Sequence, residues 1–517
     1  MKDFSANLAD FSANLNEVAL YMEQKGIEYR TIDKSRSKRI YAELQPHLKS
    51  PKHIIQVLGT NGKGSTGRFI AQILAQNGCT ILHFTSPHIF SFNERFYTNL
   101  GQNLGVISDK SLIKAHRFLQ GFEAMRECSY FEYATFLALV LAQGVDYLIL
   151  EAGVGGELDS TSVVKRDLCV FSVIDYDHTE ILGDSIELIA TTKLNAVFYP
   201  NKVPKMVLGV QKYAVVEKIA KDIAKKHSVE MFCVDCHDLQ TSLAMTKNNS
   251  CDSTESRPLR GVKNREQGCS SATADFLLEA EKLGTPPKSE KAAAFWEHNL
   301  NEVGGSGCGV QPFLRKGLSE STTKLTHPLA PSAREGESLD YSDFTNLTIE
   351  SYLAHHNLAP FLAQNLALAL KATQIFGINA DLDSLPKLDL HGRFEQIAPN
   401  ITIDVGHNQN AAFAIKRNLN DKKIILVYNS YFQKNIFEIL SILKDNILRV
   451  EILSVSDNPR IIEKGKLEQI LDSLQIAHKN FTHIDSKQDY LVFGSFSVVE
   501  AFMRQFLSTN QSGANQK

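Results

Sequence analysis

The stretch Val57–Thr66, VLGTNGKGST, constrains the fold more than any other part of this chain. The apolar run HIIQVL leads into it. A helical run follows, with Phe69, Ile70, Ile73 and Leu74 at helical spacing and Gly78 as a stop. Gly59, Gly62 and Gly64 let the backbone come close to an anion, and a helix starting near Lys63 supplies unpaired N–H groups. Lys63 adds a charge that can reach outer phosphates. The pattern departs from the usual phosphate loop at two places: Val57 stands where a glycine should open it, and Gly64 where a hydroxyl should follow the lysine. A plain strand–turn–helix connection is the alternative. Glycines bracketing a lysine between a strand and a helix favour a nucleotide site, with Gly59, Thr60, Asn61, Gly62, Lys63, Gly64 and Ser65 as its expected contacts.

Further apolar runs follow: TILHF, VDYLILEAGVGG and DLCVFSVIDYDHTEILG. Continuous Val/Ile/Leu runs between helical segments predict a parallel sheet covered on both faces. Ligands of such sheets bind at the carboxyl ends of the strands. There the runs place Asn61 and Lys63, Ser86, Glu151, and Asp177 with His178. From about Pro399 the runs ITIDVG, KIILVYN, RVEILSVS and DYLVFGSFSVVEAFMRQF again alternate strands with helices, without a phosphate loop. The expected fold class is α/β: a P-loop ATPase-type parallel-sheet domain plus a smaller C-terminal Rossmann-like domain. Residues 1–240 and 343–390 form the first domain in this reading, and residues 391–517 the second. Between them, residues 241–342 are Ser/Thr/Gly/Pro-rich and are expected to be a disordered insertion with one docked helix. The candidates for that helix are ADFLLEAEKLG and EKAAAFWEHNL, the latter holding Trp296, the only tryptophan. The N-terminal repeat DFSANLA/DFSANLN reads as a local duplication on a helix.

A chain of 517 residues is too long for one ordinary core. With 43% hydrophobic and 22% charged residues it has the composition of a soluble globular protein. A net charge of -3 gives no electrostatic case for nucleic acid or anionic membrane. The N-terminus lacks the apolar core and cleavage site of a signal peptide, and no apolar stretch is long enough to span a bilayer. Eight cysteines without disulfide-framework spacing fit a reducing cytoplasm. CVDCH (Cys233, Cys236, His237) matches a haem-attachment pattern, but that chemistry needs export, so half-buried thiols at a strand end are expected instead. A guanine-reading Asn-Lys-x-Asp is missing at NKVP (Asn201), which favours ATP.

Taken in order, GTNGKGS, TSPHIFSFNERF, YFEYATFLAL, LEAGVGGELDST, DYDHTEILG, HGRFE and DVGHNQNA resemble the folylpolyglutamate synthase/dihydrofolate synthase family, a branch of the Mur ligase superfamily. The resemblance covers nearly all the chain outside the insertion. It implies a Mur ligase middle-domain-like fold and an ATP-dependent amide ligase that adds L-glutamate to dihydropteroate and to reduced folates through an acyl phosphate. It also implies Mg2+ and ATP, with K+ as a candidate monovalent cation. The partners would be small molecules rather than nucleic acid or membrane, and the protein a cytoplasmic monomer. Carried over residue by residue, the metal ligands fall on Ser86, Glu151 and His178, and a carbamylated lysine that helps hold a second magnesium falls on Lys193. Asn365 matches an asparagine near the adenine, Arg393 an arginine on the phosphates, and Asp404 a carboxylate near the nucleotide, with His407 beside it. Lys63, His178 and Lys193 are the implied catalytic set. FSFNERF and YFEYAT resemble a loop and a strand flanking the pterin, which singles out Phe92, Phe131, Glu132, Leu158 and Ser160. Phe92 and Phe131 can equally be plain core, and Arg393 can equally form a surface ion pair with Glu395.

The chain departs from the family at Glu157, Ser162, Phe361 and Leu362, at LVYNSYFQKN, and around Lys193, where an EKAGI-like pattern is missing. These departures bear on substrate range. Two rivals stand beside the main reading. A Mur-type ligase acting on a UDP-sugar would need a nucleotide-sugar domain before the loop, where this chain has too few residues. A non-catalytic ATP-binding homologue is the other, and the retained Lys63, Ser86, Glu151 and His178 speak against it.

Overall fold

The structure, a computed structural model, describes residues 18–26, 35–199, 203–234, 348–456 and 458–514. Its first sheet contains β1 (His53–Leu58), β2 (Ile81–Phe84), β3 (Phe96–Thr98), β4 (Gly105–Val106), β5 (Tyr147–Glu151), β6 (Leu168–Phe171), β7 (Lys205–Leu208) and β8 (Met231–Cys233). Their order is β4-β3-β2-β5-β1-β6-β7-β8. β3 runs antiparallel to β2 and β4, and the other pairings are parallel. Alternate residues of each strand feed opposite faces, as the period of a strand requires. Ile55, Val57, Ile149 and Val170 pack with the helices Lys63–Gln76 and Ala363–Gln374. Leu82, Phe84, Leu148 and Leu150 pack on the other face with the helices Asp109–Gln120 and Tyr130–Leu141. Burial on both faces explains the unbroken apolar runs, and each such side chain contributes about 1.5–3 kcal/mol.

YFEYAT is a helix start, not the strand expected from the resemblance. Ser129 accepts from Glu132 N, and Ser129 N donates to Glu132 Oε2 at 2.8 Å, a reciprocal cap that overrides the aromatic, strand-like composition. The helix Lys63–Gln76 lies so close to β2 that a Cβ on Gly67 would collide with the ring of His83. That ring is buried, and its Nδ1 accepts from Arg68 Nε at 3.2 Å. Burial and the Arg68 charge hold the imidazole neutral, with its pKa well below the usual range.

The second sheet contains β9 (Glu395–Ala398), β10 (Ile401–Ile403), β11 (Ile424–Tyr428), β12 (Ile447–Ile452), β13 (His478–Asn480) and β14 (Tyr490–Phe493), in the order β13-β12-β11-β14-β10-β9. Only β9 with β10 is antiparallel among these pairings. No described helix is long and apolar enough to cross a membrane. Cys233 is half-buried at the end of β8. Cys236, His237, Asn201, Trp296, the N-terminal repeat and the whole stretch 241–342 lie outside the described residues. The residues that flank the latter stretch, Val234 and Ile349, are buried in the same core cluster.

The two sheets meet at Asp177, beyond β6. Lys434 Nζ, beyond β11, lies 2.5 Å from Asp177 Oδ1, with both side chains almost buried. His178 Nε2 stands 3.9 Å and His407 Nε2 4.0 Å from the other carboxylate oxygen. Burial opposes ionisation of Asp177, but the surrounding cations outweigh it and hold the carboxyl well below the usual range. Burial pushes His407 down to about 4, so at neutral pH its ring adds no charge, while His178 and the permanent cation Lys434 stand beside the Asp177 carboxylate.

Lys434→Met should therefore cost about 2–3 kcal/mol in chemical denaturation, with part of the loss recovered in Lys434→Met/Asp177→Asn. Because the folded pKa of Asp177 lies below its unfolded value, its contribution is complete above about pH 4. It fades as the pH falls further, so the gap between wild type and Asp177→Asn should close on acidification. Replacing residues 245–340 by a short flexible linker should leave the thermal midpoint unchanged within a few degrees, since both anchors sit in one core and a shorter closure costs less entropy.

Candidate functional site

The loop after β1 is held from below by the backbone beyond β6. Thr60 N donates to Val173 O at 2.8 Å, Thr60 Oγ1 to Asp175 O at 2.9 Å, and Asp175 N returns to Thr60 Oγ1 at 3.0 Å. Gly59 (φ +134) and Gly62 (φ +85) adopt backbone conformations that favour glycine, and a Cβ at either would strike Ser172 or Asn365. Lys63 opens the helix, and its Nζ donates to Thr60 O at 3.2 Å. Ser65 is buried. Asn365 Nδ2 donates to Gly62 O and to Thr66 Oγ1, both at 3.2 Å. It is thus a brace behind the loop, a role that its family position alone did not suggest.

Gly64 marks where three parts of the chain converge. A Cβ there would lie 3.2 Å from Glu151 Oε2, 3.3 Å from Thr85 Oγ1 and 3.5 Å from Arg393 Nη2. Glu151 ends β5 and is buried; its Oε2 accepts from Thr85 Oγ1 and from Ser86 N, the latter at 3.1 Å. Arg393 comes from the segment just before β9, and its Nη1 donates to the carbonyls of His391 and Gly392. Glu395 binds His391 Nδ1 and Gly392 N instead of forming the surface ion pair considered for Arg393. Asp404, beyond β10, accepts from Phe394 N at 2.9 Å and Gly406 N at 2.7 Å, joining the arginine's segment to the turn that carries His407. Burial raises the Asp404 carboxyl to about 6, against these donors and the Arg393 charge. His407 is half-buried, with Nδ1 3.2 Å from Val405 O.

His178 occupies a left-handed conformation (φ 50) at the start of the short helix Thr179–Leu182, between Asp177 and Glu180, whose Oε1 is 3.7 Å from its Nδ1. Lys193, near the end of the helix Ile186–Leu194, is buried, and its Nζ donates to Gly59 O at 3.1 Å. Burial, and then the Lys63 charge, lower its pKa to about 7 against the pull of Asp177 and Asp159. A Cβ on Gly156 would lie 2.5 Å from Lys193 O, so GVGG rests directly on this helix.

Among the described residues no group of three or more His, Cys, Asp or Glu is arranged to hold a metal ion. The adjoining Ser86 and Glu151 nonetheless suit magnesium, which takes oxygen ligands from one or two carboxylates and completes its shell with phosphate oxygens and water. His178 lies with Asp177 on the other side of the loop. The residues singled out for the pterin do not share one environment. Phe131 is core, against Gly153 and Phe84. Phe92 keeps part of its ring exposed, edge-on to Phe96 and Tyr130. The Glu132 carboxylate is taken by Arg36 Nε, Ser37 Oγ and Ser129 N, Ser160 Oγ bonds Thr135 Oγ1 at 2.7 Å, and Leu158 is half-buried. Sequence reasoning missed Thr85, Lys434 and Asn408. Thr85 precedes a residue already singled out; Lys434 sits in a polar loop with no local signal.

No family model matches the chain. The chain is 36% identical over 170 residues to the dihydrofolate synthase/folylpolyglutamate synthase of Bacillus subtilis, a match spanning 31% of this chain and 39% of that protein. The match thus spans about two fifths of that curated relative. A bifunctional folylpolyglutamate synthase/dihydrofolate synthase solved with Mn, AMPPNP and L-glutamate bound shares the fold, with a TM-score of 0.61 at 20% identity over 95% of this chain and 98% of that one. The folylpolyglutamate synthetase structure from Helicobacter pylori aligns at 31% identity and a TM-score of 0.60, covering 95% of this chain and 98% of its own. With 31% identity over 95% of this chain and 98% of that one, the chain belongs to the dihydrofolate synthase/folylpolyglutamate synthase family.

Proposed function

We propose that this chain is a magnesium- and ATP-dependent ligase that joins L-glutamate to dihydropteroate and to reduced folates, as a monomer in the cytoplasm, with K+ as a candidate accessory ion. Residues 1–240 with 343–390 are read as the ATP-binding domain, residues 391–517 as the glutamate-ligase domain, and residues 241–342 as an insertion. The observation that carries this reading is the convergence at Gly64 of the lysine loop, the Glu151 carboxylate and Arg393 from the second sheet. Phosphoryl transfer needs positioning and charge neutralisation more than covalent help from the protein, and this convergence supplies both. Family membership supports the substrate class, and the fold neighbour with Mn, AMPPNP and L-glutamate bound supports the nucleotide, the divalent metal and the amino acid.

In this reading the loop amides and Lys63 take the outer phosphates, and Arg393 meets them from the opposite side. A carboxylate oxygen of the pterin substrate attacks the γ-phosphorus and ADP leaves; the glutamate amine then attacks the resulting acyl phosphate, and phosphate leaves as the amide forms. Magnesium held by Ser86 and Glu151, with His178 as the family's further ligand, would neutralise phosphate charge. Asn365 braces the loop in this scheme, and Asp404 with His407 holds the turn that faces it. The lowered pKa of Lys193 supports carbamylation, because only the neutral amine adds to carbon dioxide, releasing a proton as it becomes a carboxylate. Phe92 and Leu158, the less buried of the pterin candidates, are the ones proposed to touch that ring.

Release of phosphate from ATP should require dihydropteroate and glutamate together; release with neither, or with a UDP-sugar acceptor in place of the pterin, would overturn the reading. Ser86→Ala should lower magnesium-dependent turnover by about 10–100-fold and more than Ser65→Ala, while the reverse order would return the metal to the loop. Lys193→Arg keeps a cation but cannot carry a carbamate, and should lose about 100-fold in kcat. Carbon-13 bicarbonate should give a carbamate resonance in the wild type that grows as the pH rises through about 7 and is missing from Lys193→Arg.

A further inference from the structure

The phosphate loop and the second sheet are joined by a pair of side-chain amides. Asn408 caps the helix Gln409–Leu419, its Oδ1 accepting from Ala411 N at 3.0 Å. With the oxygen committed to the cap, Nδ2 is turned toward the loop and donates to Asn61 Oδ1 at 2.9 Å. Asn61 returns a longer bond from its own Nδ2 to Asn408 Oδ1, at 3.4 Å. Both residues are half-buried. Asn61 lies between Thr60, fastened to the backbone beyond β6, and Gly62, so its side chain is the part of the loop that reaches across.

The contact closes a ring. From Asn408 the chain runs back through His407 to Asp404, whose carboxylate holds Phe394 N. Next to Phe394 is Arg393, whose Nη2 stands over Gly64, three residues along the loop from Asn61. The loop is therefore gripped at Asn61 by an amide and faced at Gly64 by a guanidinium, carried by two neighbouring segments of the second sheet that Asp404 ties together. The grip is neutral and directional, so unlike the Asp177–Lys434 pair it is sensitive to orientation and insensitive to salt.

We propose that Asn408 is a positioning residue: its amide pair with Asn61 clamps the Asp404–His407 turn onto the phosphate loop, so that Arg393 faces the loop only while the pair is made. This rests on the reading above, in which the loop and Arg393 share the ATP phosphates. Asn408 does not touch substrate in this scheme. It acts by holding the second sheet in the geometry that chemistry needs, and a small misplacement of a positioning group is enough to cost rate.

Asn408→Ser separates the clamp from the cap, because serine caps a helix as well as asparagine does but is too short to reach Asn61. In the full chain, the variant should melt at the wild-type temperature. Without ligand, its loop amides at 59–66 should exchange hydrogen about 5–10-fold faster. It should bind ATP within about threefold of the wild-type Kd yet lose about tenfold in kcat, a split that a lost cap would not produce. Asn61→Ala should give the same loss in kcat and the same faster loop exchange, and the double variant should be no worse in kcat than either single one. Unchanged loop exchange in Asn408→Ser, additive losses in the double variant, or a kcat loss that merely follows a lowered melting temperature would overturn the proposal. If the wild type does not turn over ATP with dihydropteroate and glutamate, the ligase reading fails. The clamp is then decided by loop exchange alone.

Discussion

The parallel register of β1 with β5, from His53↔Tyr147 to Val57↔Glu151, is the constraint on which the site depends. It sets Glu151 level with the last residues before the loop, so the carboxylate and the glycine turn leave the sheet at the same height. On the other side β1 pairs with β6 through Leu58↔Phe171, which puts the backbone of Ser172 to Asp175 under Gly59 and Thr60. A slip of one residue in either pairing would hand each face's side chains to the opposite helix layer as well as separate these groups, so the packing on both faces fixes the register and the register fixes the site.

What the first sheet does not supply comes from the second, and the two kinds of contact between them differ in character. Asp177–Lys434 is an ion pair taken largely out of water, where the attraction must offset the desolvation of both partners. Asn61–Asn408 carries no charge and costs less to dehydrate, but it demands alignment. The first favours approach of the sheets, and the second favours one arrangement of them. Arg393 gains its place over the loop from the combination and not from a contact of its own with Glu395.

Much of this was legible in the residues. The apolar runs gave the strands because both faces of the sheet are covered, and Gly59, Gly62 and Lys63 sit where strand and helix meet, as their order implied. The polar residues at strand ends, Ser86, Glu151 and Asp177, do stand along one edge. YFEYAT misled because the expectation of a strand there rests on the resemblance, which passes over the S-x-x-E spacing of Ser129 and Glu132, a helix-start signal in the sequence itself. Lys434 and Asn408 were illegible for a plainer reason. Their meaning lies in partners 257 and 347 residues away, and no local period encodes a contact of that range.

The contact between Gly67 and His83 has a consequence for how such a sequence can change over time. Arg68 donates to Nδ1, so the ring hydrogen sits on Nε2, which is buried against Gly67 and has no partner. An unpaired buried donor costs about 1–3 kcal/mol, and a smaller residue at 83 would remove this one while leaving Arg68 Nε without its acceptor. At 67 no step is open while the imidazole stands, because any side chain meets the ring. Substitutions at the two positions are therefore ordered: residue 83 has to shrink before residue 67 can vary, and a lineage in which 67 has changed carries the record of an earlier change at 83.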